Sequence, residues 1–360
     1  MPDVIVVGGG VIGLSCAWEL ARHGRSVTVL DQATMGREAS WAGAGMIPPG
    51  DTAGAAPNRL AVMSSKLWPV LSAQLLEQTG IDNGYRPCQG ILVPAESEFD
   101  SEENAWRSCG VPVERIDDKR LQEQLPALNR EIRQALLLPS QAQVRNPRHL
   151  KALLAACRES GVQLLEFTQV TGWKRSGNRI VAVETEQGTQ SGDEFIVASG
   201  AWSDSVVAPL PMTLGIRPLR GQIALLKTPV PLFRQTIECG RRYLVPRDDG
   251  RVLVGATEED VGFRKANTPE AVDSLIRFAH KLIPGLSESV LETTWSGLRP
   301  FRERRVPVIS RPSDWSNLTL AAGHFRAGLS NSPATAVLVR QLLSDEAPAL
   351  DLSPFAAASV

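Results

Sequence analysis

The pattern of apolar and polar positions at the start of the chain predicts a strand, a helix and a second strand. Residues 4–7 form an apolar, β-branched run that is typical of a buried strand. Residues 14–23 place apolar side chains on one helical face, and Gly24 ends that helix. Residues 27–30 form the second strand, which stops at Asp31. The N-terminus is therefore predicted to be a β-α-β unit.

Three glycines stand between the first strand and the helix in G-x-G-x-x-G spacing: Gly8, Gly10 and Gly13. The first allows a tight turn, the second lets the backbone approach a pyrophosphate, and the third allows the helix to pack closely on the strand. The N–H groups and dipole at the helix N-terminus favour anionic phosphates, and Asp31 stands where an acid would bind a ribose hydroxyl. This context predicts a dinucleotide site. It does not separate FAD from NAD, and a tight turn without a ligand is the alternative.

The rest of the chain repeats this kind of pattern twice, with shorter strands in between. Residues 194–203 predict a buried strand, a glycine turn and a helix, and residues 318–343 predict a strand, a loop and a helix that begins at Pro333. The predicted fold class is α/β plus α+β, a Rossmann-like nucleotide-binding domain with a mixed-sheet substrate domain. The first domain is discontinuous and comprises residues 1–83, 145–210 and 296–360, and the second comprises residues 84–144 and 211–295.

Composition and charge narrow the function classes. The 360 residues carry a formal net charge of −1, which gives no reason to expect attraction to nucleic acid or to a membrane surface. The five cysteines are scattered without a C-x-x-C pair, so neither a disulfide framework nor a metal site is predicted. No signal peptide pattern and no apolar run of membrane-spanning length is present, so we expect a soluble, cytoplasmic protein.

A segment of small residues follows the second strand, at positions 39–46. Such a segment can bring backbone amides close to a flat ligand because few side chains stand in the way. A flexible loop is the alternative.

Motifs spread over nearly the whole chain resemble the FAD-dependent amine and amino-acid oxidases of the D-amino-acid oxidase type, and among them the glycine oxidases of thiamine biosynthesis. Besides the N-terminal unit and residues 39–46, the motifs are ASGAWS at 198–203, YLVPR at 243–247, VGAT at 254–257, GLRP at 297–300 and AGHFR at 322–326. In that family FAD lies extended, with its pyrophosphate over the first helix and its isoalloxazine ring towards the second domain. The resemblance implies that FAD is the cofactor.

The resemblance also implies which residues contact FAD. They are Gly8, Gly10, Val11, Ile12 and Gly13 near the pyrophosphate, Asp31 and Gln32 near the ribose, Val170 near the adenine, Ala39, Ser40, Ala44, Gly45 and Met46 along the flavin, and His324, Phe325, Arg326, Ala327, Gly328, Leu329 and Ser330 near its ring.

Arg299, Arg326 and Tyr243 are the candidates for binding the carboxylate of an amino-acid substrate. A planar guanidinium binds a carboxylate through two parallel hydrogen bonds, and a phenol can donate a third. The alternatives are that each arginine is a surface or structural cation and that Tyr243 is a half-buried strand aromatic. No proton-transfer role is expected for His324.

The reaction implied by the resemblance is hydride transfer from the substrate Cα–H to flavin N5. The imino acid product hydrolyses to an oxo acid and ammonia or, when glycine is the substrate, feeds thiazole synthesis. Molecular oxygen is reduced to hydrogen peroxide. The resemblance further implies a homo-oligomer such as a tetramer.

Two segments depart from the family pattern, the bulky and basic residues 301–305 and the polar residues 329–333, and both leave the choice of substrate open. Three other functions remain open at this point. They are an amine dehydrogenase that uses an acceptor other than oxygen, a nicotinamide-dependent dehydrogenase, and a non-catalytic FAD-binding subunit.

Overall fold

The structure is a computed structural model that describes residues 2–357. Residues 1 and 358–360, at the ends of the predicted segments 1–83 and 296–360, lie outside it. The helices are α1 (Val11–Arg22), α2 (Glu38–Ala42), α3 (Ala55–Thr79), α4 (Phe99–Ser108), α5 (Asp118–Gln124), α6 (Asn146–Glu159), α7 (Ser203–Val207), α8 (Pro269–Leu282) and α9 (Gly328–Leu343). The strands are β1 (Val4–Val7), β2 (Val27–Leu30), β3 (Met46–Ile47), β4 (Arg86–Pro87), β5 (Gly90–Leu92), β6 (Glu114–Ile116), β7 (Ala135–Leu138), β8 (Ala142–Gln143), β9 (Gln163–Leu165), β10 (Val170–Ser176), β11 (Arg179–Thr185), β12 (Gly188–Ser191), β13 (Glu194–Val197), β14 (Ile216–Lys227), β15 (Thr236–Cys239), β16 (Arg242–Pro246), β17 (Arg251–Gly255), β18 (Val290–Arg302), β19 (Val308–Ser310) and β20 (Leu318–Ala322).

The first large sheet has the strand order β19-β20-β13-β1-β2-β9, and its strands are parallel except for β19. Strands β1 and β2 are buried along their whole length, because helices cover one face of the sheet and a small sheet covers the other. Helices α1, α6 and α9 pack on the first face. The three-stranded sheet β10-β11-β12 and helix α7 pack on the second face. The predicted β-α-β unit is therefore present, with the helix at Val11–Arg22.

The second large sheet has eight strands in the order β18-β14-β17-β16-β15-β5-β7-β6, and it is mixed because β15 and β5 run parallel. Apolar side chains of α5 and α8 cover one face. The other face turns towards the first sheet. The predicted combination of an α/β sheet with a mixed second sheet is confirmed. No helix among residues 2–357 is both long and apolar enough to cross a membrane.

The domain division stays a prediction, and one of its boundaries falls inside a strand. The boundary drawn between residues 295 and 296 interrupts β18, which pairs with β14 from Val290 to Arg302. Gly297 and Pro300 break the apolar pattern of this strand, which is why the sequence did not show it as continuous.

Helix α9 begins at Gly328, five residues before the predicted start at Pro333. A proline inside a helix lacks the N–H that would bind the carbonyl four residues earlier. Here the hydroxyl of Ser332 donates to the Leu329 carbonyl at 2.9 Å. The Ser330 carbonyl accepts hydrogen bonds from Ser64 Oγ at 2.6 Å and Trp68 Nε1 at 2.9 Å, both on α3. Side chains thus replace the missing backbone bonds, and the helix continues through the proline.

Candidate active site

A cavity of about 480 Å³ lies between the two large sheets. The first sheet contributes the carboxyl ends of its parallel strands, at Val7, Leu30 and Ala198. The second sheet contributes the face that carries Ile223 and Tyr243. Ligands of open α/β sheets bind outside the carboxyl ends of the strands, so the cavity lies where such a fold places a nucleotide.

All but one of the predicted site residues line this cavity. They are Gly8, Gly10, Val11, Ile12, Asp31, Gln32, Ala39, Ser40, Ala44, Gly45, Met46, Val170, Tyr243, Arg299, His324, Phe325, Arg326, Ala327, Gly328, Leu329 and Ser330. The exception is Gly13, where an added Cβ would collide with the Gly8 carbonyl oxygen. Gly13 therefore lets α1 pack against the turn and does not border the cavity.

The glycine turn is held by the residues around it. Gly8 has a φ of +112°, and a Cβ there would lie 2.5 Å from the Ala198 carbonyl oxygen. The Asp31 carboxylate accepts hydrogen bonds from the backbone N–H of Gly9 at 2.7 Å and of Ala33 at 2.9 Å. Burial raises the pKa of Asp31, and these two hydrogen bonds oppose that effect. Each carboxylate oxygen keeps a second lone pair that can accept from a ribose hydroxyl.

The N-terminal end of α1 opens directly on the cavity. Its first N–H, at Val11, is bound by Ser40 Oγ at 2.9 Å. A Cβ added to Gly10 would lie 3.2 Å from that hydroxyl oxygen, and the space around it is otherwise open. The first turn of a helix leaves N–H groups without intrahelical partners, and these groups and the helix dipole favour an anion. The turn thus fits the pyrophosphate of a dinucleotide.

The small-residue segment 39–46 is a fixed wall, so the flexible-loop alternative is wrong. Four hydrogen bonds hold its backbone carbonyls: from Asn146 Nδ2 to Ser40 at 2.8 Å, from Trp295 Nε1 to Ala42 at 3.0 Å, from Arg247 Nη2 to Ala44 at 2.7 Å and from Val144 N to Gly45 at 2.8 Å. Arg247 stands in the YLVPR motif, and this role could not be predicted from the motif alone. Its guanidinium is buried, and burial lowers its pKa to about 10.

Two glycines of the second sheet make room for the polar side chains on its cavity face. A Cβ on Gly221, in β14, would overlap the Arg299 guanidinium. A Cβ on Gly255, in β17, would overlap the phenol ring of Tyr243. Because neither glycine has a side chain, the guanidinium and the phenol ring lie close over the sheet backbone beside the cavity.

Arg299 is a half-buried cation without a carboxylate partner. Its Nη1 donates to the Thr257 carbonyl at 3.0 Å, and no carboxylate of residues 2–357 forms an ion pair with it. Burial lowers its pKa, which the neighbouring Tyr243 opposes. Burial also raises the pKa of Tyr243, so the phenol is protonated and can donate a hydrogen bond. A buried charge is costly unless it is paired, so this site favours an anionic ligand.

Arg326 differs from Arg299 because its charge is already balanced. It forms an ion pair with Glu258, which also lies 3.7 Å from Arg241. Burial acts to raise the pKa of Glu258, but the charges of these arginines outweigh it and hold that pKa low. The sequence predicted the same role for Arg299 and Arg326, but among residues 2–357 Arg326 is paired with Glu258 whereas Arg299 forms no ion pair.

His324 borders the cavity but is engaged elsewhere. Its Nε2 lies 3.0 Å from Thr335 Oγ1, on α9. Burial lowers the pKa of His324 to about 3, so the ring is neutral at physiological pH. This agrees with the expectation that His324 transfers no proton.

Further polar residues of the cavity were not predicted from the sequence, and Glu238 is the main one. It stands on β15 directly opposite Tyr243 on β16. Burial by the protein around the cavity raises its pKa to about 7. An acidic residue within a short β-branched run, one strand before Tyr243, is the sequence signal that could have revealed it.

Comparisons with known proteins agree with this geometry. The family model described as FAD dependent oxidoreductase matches residues 3–342. A glycine oxidase of Pseudomonas aeruginosa is 35% identical over 358 residues, which cover 99% of this chain and 98% of that protein. The bifunctional protein ThiO/ThiG of Trichormus variabilis is 33% identical, over 96% of this chain and 53% of its own length. The crystal structure of glycine oxidase from Geobacillus kaustophilus, 32% identical, superposes with a TM-score of 0.96 over 100% of this chain and 99% of that one.

Proposed function

Because the chain belongs to the FAD-dependent oxidoreductase family, we propose that it oxidises the α-carbon of glycine or of another small amino acid or secondary amine. The observation that carries this proposal is the Arg299 guanidinium, which borders the cavity without a carboxylate partner among residues 2–357. An amino-acid carboxylate is the anion that it would bind. The glycine oxidases among the relatives support the same substrate class.

The residues around the cavity fit FAD. The open N-terminus of α1 and the Gly8–Gly10 turn would hold the pyrophosphate, and Asp31 would hold the ribose. The backbone of the wall at 39–46 would lie along the flavin. FAD, when bound, supplies an acceptor for the hydride of the substrate at its N5 atom.

The residues of the protein would contribute to the reaction by orienting the substrate. Arg299 would bind the carboxylate through two hydrogen bonds, and the protonated Tyr243 would donate a third. Such contacts fix the α-carbon relative to the wall at 39–46. The neutral His324 neither donates nor removes a proton in this scheme. A substrate that fills the cavity would displace water from the guanidinium, and the lower dielectric would strengthen their interaction.

Oxygen as the electron acceptor, hydrogen peroxide as its product, and a place in thiamine (thiazole) biosynthesis belong to the same proposal. The match to a ThiO/ThiG protein supports the pathway. We also propose a cytoplasmic homo-oligomer. All five cysteines are free, which suits a reducing compartment. Val230, Val290 and Leu291 are exposed apolar side chains that an oligomer could cover.

Anaerobic mixing of the purified holoenzyme with glycine, sarcosine and D-alanine tests the proposal. The expected result is bleaching of the flavin absorbance by at least one of them, reversed by air with formation of peroxide. Bleaching that only an added dye reverses would identify a dehydrogenase instead. A yellow protein that no amine reduces would leave a non-catalytic FAD-binding subunit.

A further inference from the structure

The cavity continues past Tyr243 to three residues that the scheme above does not use. They are Glu238 on β15, Gln141 in the loop between β7 and β8, and Trp106 on α4, and all three line the cavity. We call them the distal subsite.

Glu238 is a carboxylate without a cationic partner. It forms no ion pair with any residue of 2–357, and the one hydrogen bond to its carboxylate from these residues is a long one from Gln141 Nε2 at 3.4 Å. The charge of Arg326 acts on Glu238 to lower its pKa, but Arg326 is paired with Glu258. The carboxylate of Glu238 is therefore short of a counter-charge.

The other two residues also suit a cation. Gln141 is fully buried, and its Oε1 has no hydrogen-bond partner among the described residues. Trp106 donates from Nε1 to Glu102 at 3.1 Å, which fixes its ring at the edge of the cavity. A carboxylate, an amide oxygen and an indole ring are groups that proteins use to bind organic ammonium ions. An uncompensated buried amide oxygen favours a ligand that donates hydrogen bonds.

The distal subsite is far from Arg299. Arg299 stands on β18 and Glu238 on β15, which are four strands apart in the order β18-β14-β17-β16-β15. At about 4.8 Å per strand, these four steps separate their backbones by about 19 Å across the sheet, before any offset along the strands is added. Arg299 leans over Gly221 on the next strand, and Tyr243 lies between the two ends. We therefore expect a glycine bound at Arg299 to be too short to contact Glu238, and a longer substrate to extend past Tyr243 towards it.

We propose that the distal subsite binds an ammonium group at the far end of the substrate, so that the enzyme prefers amino acids or N-alkylglycines that carry a second amino group. This inference rests on the proposed function, because Arg299 fixes the substrate carboxylate at the opposite end. Arg299 and the distal subsite together would select substrates by length as well as by charge.

The first test compares two achiral substrates of the same length with the wild-type holoenzyme. N-(2-aminoethyl)glycine carries a terminal ammonium, and N-propylglycine carries a methyl group in its place. We expect the second-order rate constant for anaerobic flavin bleaching to be about tenfold to hundredfold higher for the first. Equal rate constants for the two, or bleaching by glycine and sarcosine but by neither of the pair, would overturn the inference and leave the proposed function standing.

The Glu238→Gln variant assigns the preference to the carboxylate. In this variant the two substrates are expected to have rate constants that differ by no more than about twofold, even if both rate constants change. An unchanged ratio would exclude Glu238 as the cause. The flavin absorbance spectrum and the circular dichroism of the variant show whether it retains cofactor and fold. If it does not, the wild-type ratio still decides the question.

A binding experiment separates the two proposals. 5-Aminopentanoate and hexanoate differ only in the terminal ammonium, and neither has an α-amino carbon to oxidise. Their dissociation constants follow from the perturbation of the flavin spectrum of the holoenzyme. Tighter binding of 5-aminopentanoate with no amine able to bleach the flavin would support the subsite and refute the proposed oxidation. Equal affinities would refute the subsite.

Discussion

The Gly221→Ala substitution tests the geometry of the substrate end of the cavity without removing any functional group. Gly221 lies in β14 beneath the Arg299 guanidinium, and an added Cβ would overlap that group. The overlap is with the far end of a flexible side chain, so the guanidinium can move while the backbone stays in place. Alanine also suits a strand interior better than glycine, by about 0.5–1 kcal/mol. We therefore expect the variant to fold and to bind FAD normally.

The substitution is expected to displace the substrate carboxylate. The added Cβ would lie about 1 Å closer to the guanidinium than ordinary van der Waals contact allows, so Arg299 must shift by about that distance. A misplacement of about 1 Å at a positioning group costs about 10²-fold in rate. This corresponds to about 2.7 kcal/mol of lost transition-state stabilisation.

The assay is anaerobic stopped-flow reduction of the flavin by glycine, or by the best of the three amines. The second-order rate constant should fall about 100-fold in Gly221→Ala. The matched control is Gly285→Ala, because its Cβ would meet only Leu232, at 3.3 Å and away from the cavity. That control should behave as the wild type does. A Gly221→Ala rate within about threefold of the wild type would refute the placement of the carboxylate at Arg299.

Three further predictions concern single side chains. Arg299→Lys should weaken the binding of glycolate, measured from the flavin spectrum, by about 10- to 100-fold because an ammonium cannot form the two parallel hydrogen bonds; unchanged affinity would count against the bidentate contact. Asp31→Ala should raise the FAD dissociation constant at least about tenfold, since the N–H groups of Gly9 and Ala33 lose a charged acceptor; equilibrium dialysis measures it, and an unchanged constant would contradict the role. The pKa of His324 is lowered from its ordinary value to about 3, so the unfolded chain binds the extra proton as the pH falls from about 6.5 to 3, and stability is lost over that window. His324→Asn should therefore reduce the loss of unfolding free energy between pH 6.5 and 5.0, measured by urea denaturation, by about 1.6 kcal/mol. An equal loss in both proteins would disprove the neutral buried imidazole.

The N-terminal unit could be predicted because local signals all agree there. The strand at 4–7, the glycine spacing and Asp31 lie within one short stretch, and each requires the same β-α-β geometry. The structure adds that Asp31 also binds the backbone of the glycine turn, which follows from a contact between residues 22 positions apart.

The substrate end was harder to predict because it depends on pairing between strands. Gly221 and Gly255 have a clear purpose only once β14 and β17 lie beside Arg299 and Tyr243. The difference between Arg299 and Arg326 depends on Glu258, whose ion pair with Arg326 joins residues far apart in the chain. Helix α9 was predicted to start at Pro333 because part of what satisfies the carbonyls of its first turn comes from Ser64 and Trp68 on α3, which are distant in the sequence.

The Arg299 guanidinium, which forms no ion pair among residues 2–357, should select an amine that carries a carboxylate, and a comparison of glycine with glycinamide tests this selection. The two compounds are nearly the same size, but glycinamide cannot neutralise the guanidinium. The second-order rate constant for anaerobic reduction of the holoenzyme flavin should be about 100-fold or more higher for glycine than for glycinamide. If sarcosine is the better substrate, sarcosine and its amide should differ in the same direction. Equal rate constants for acid and amide would contradict the binding of the substrate carboxylate by Arg299.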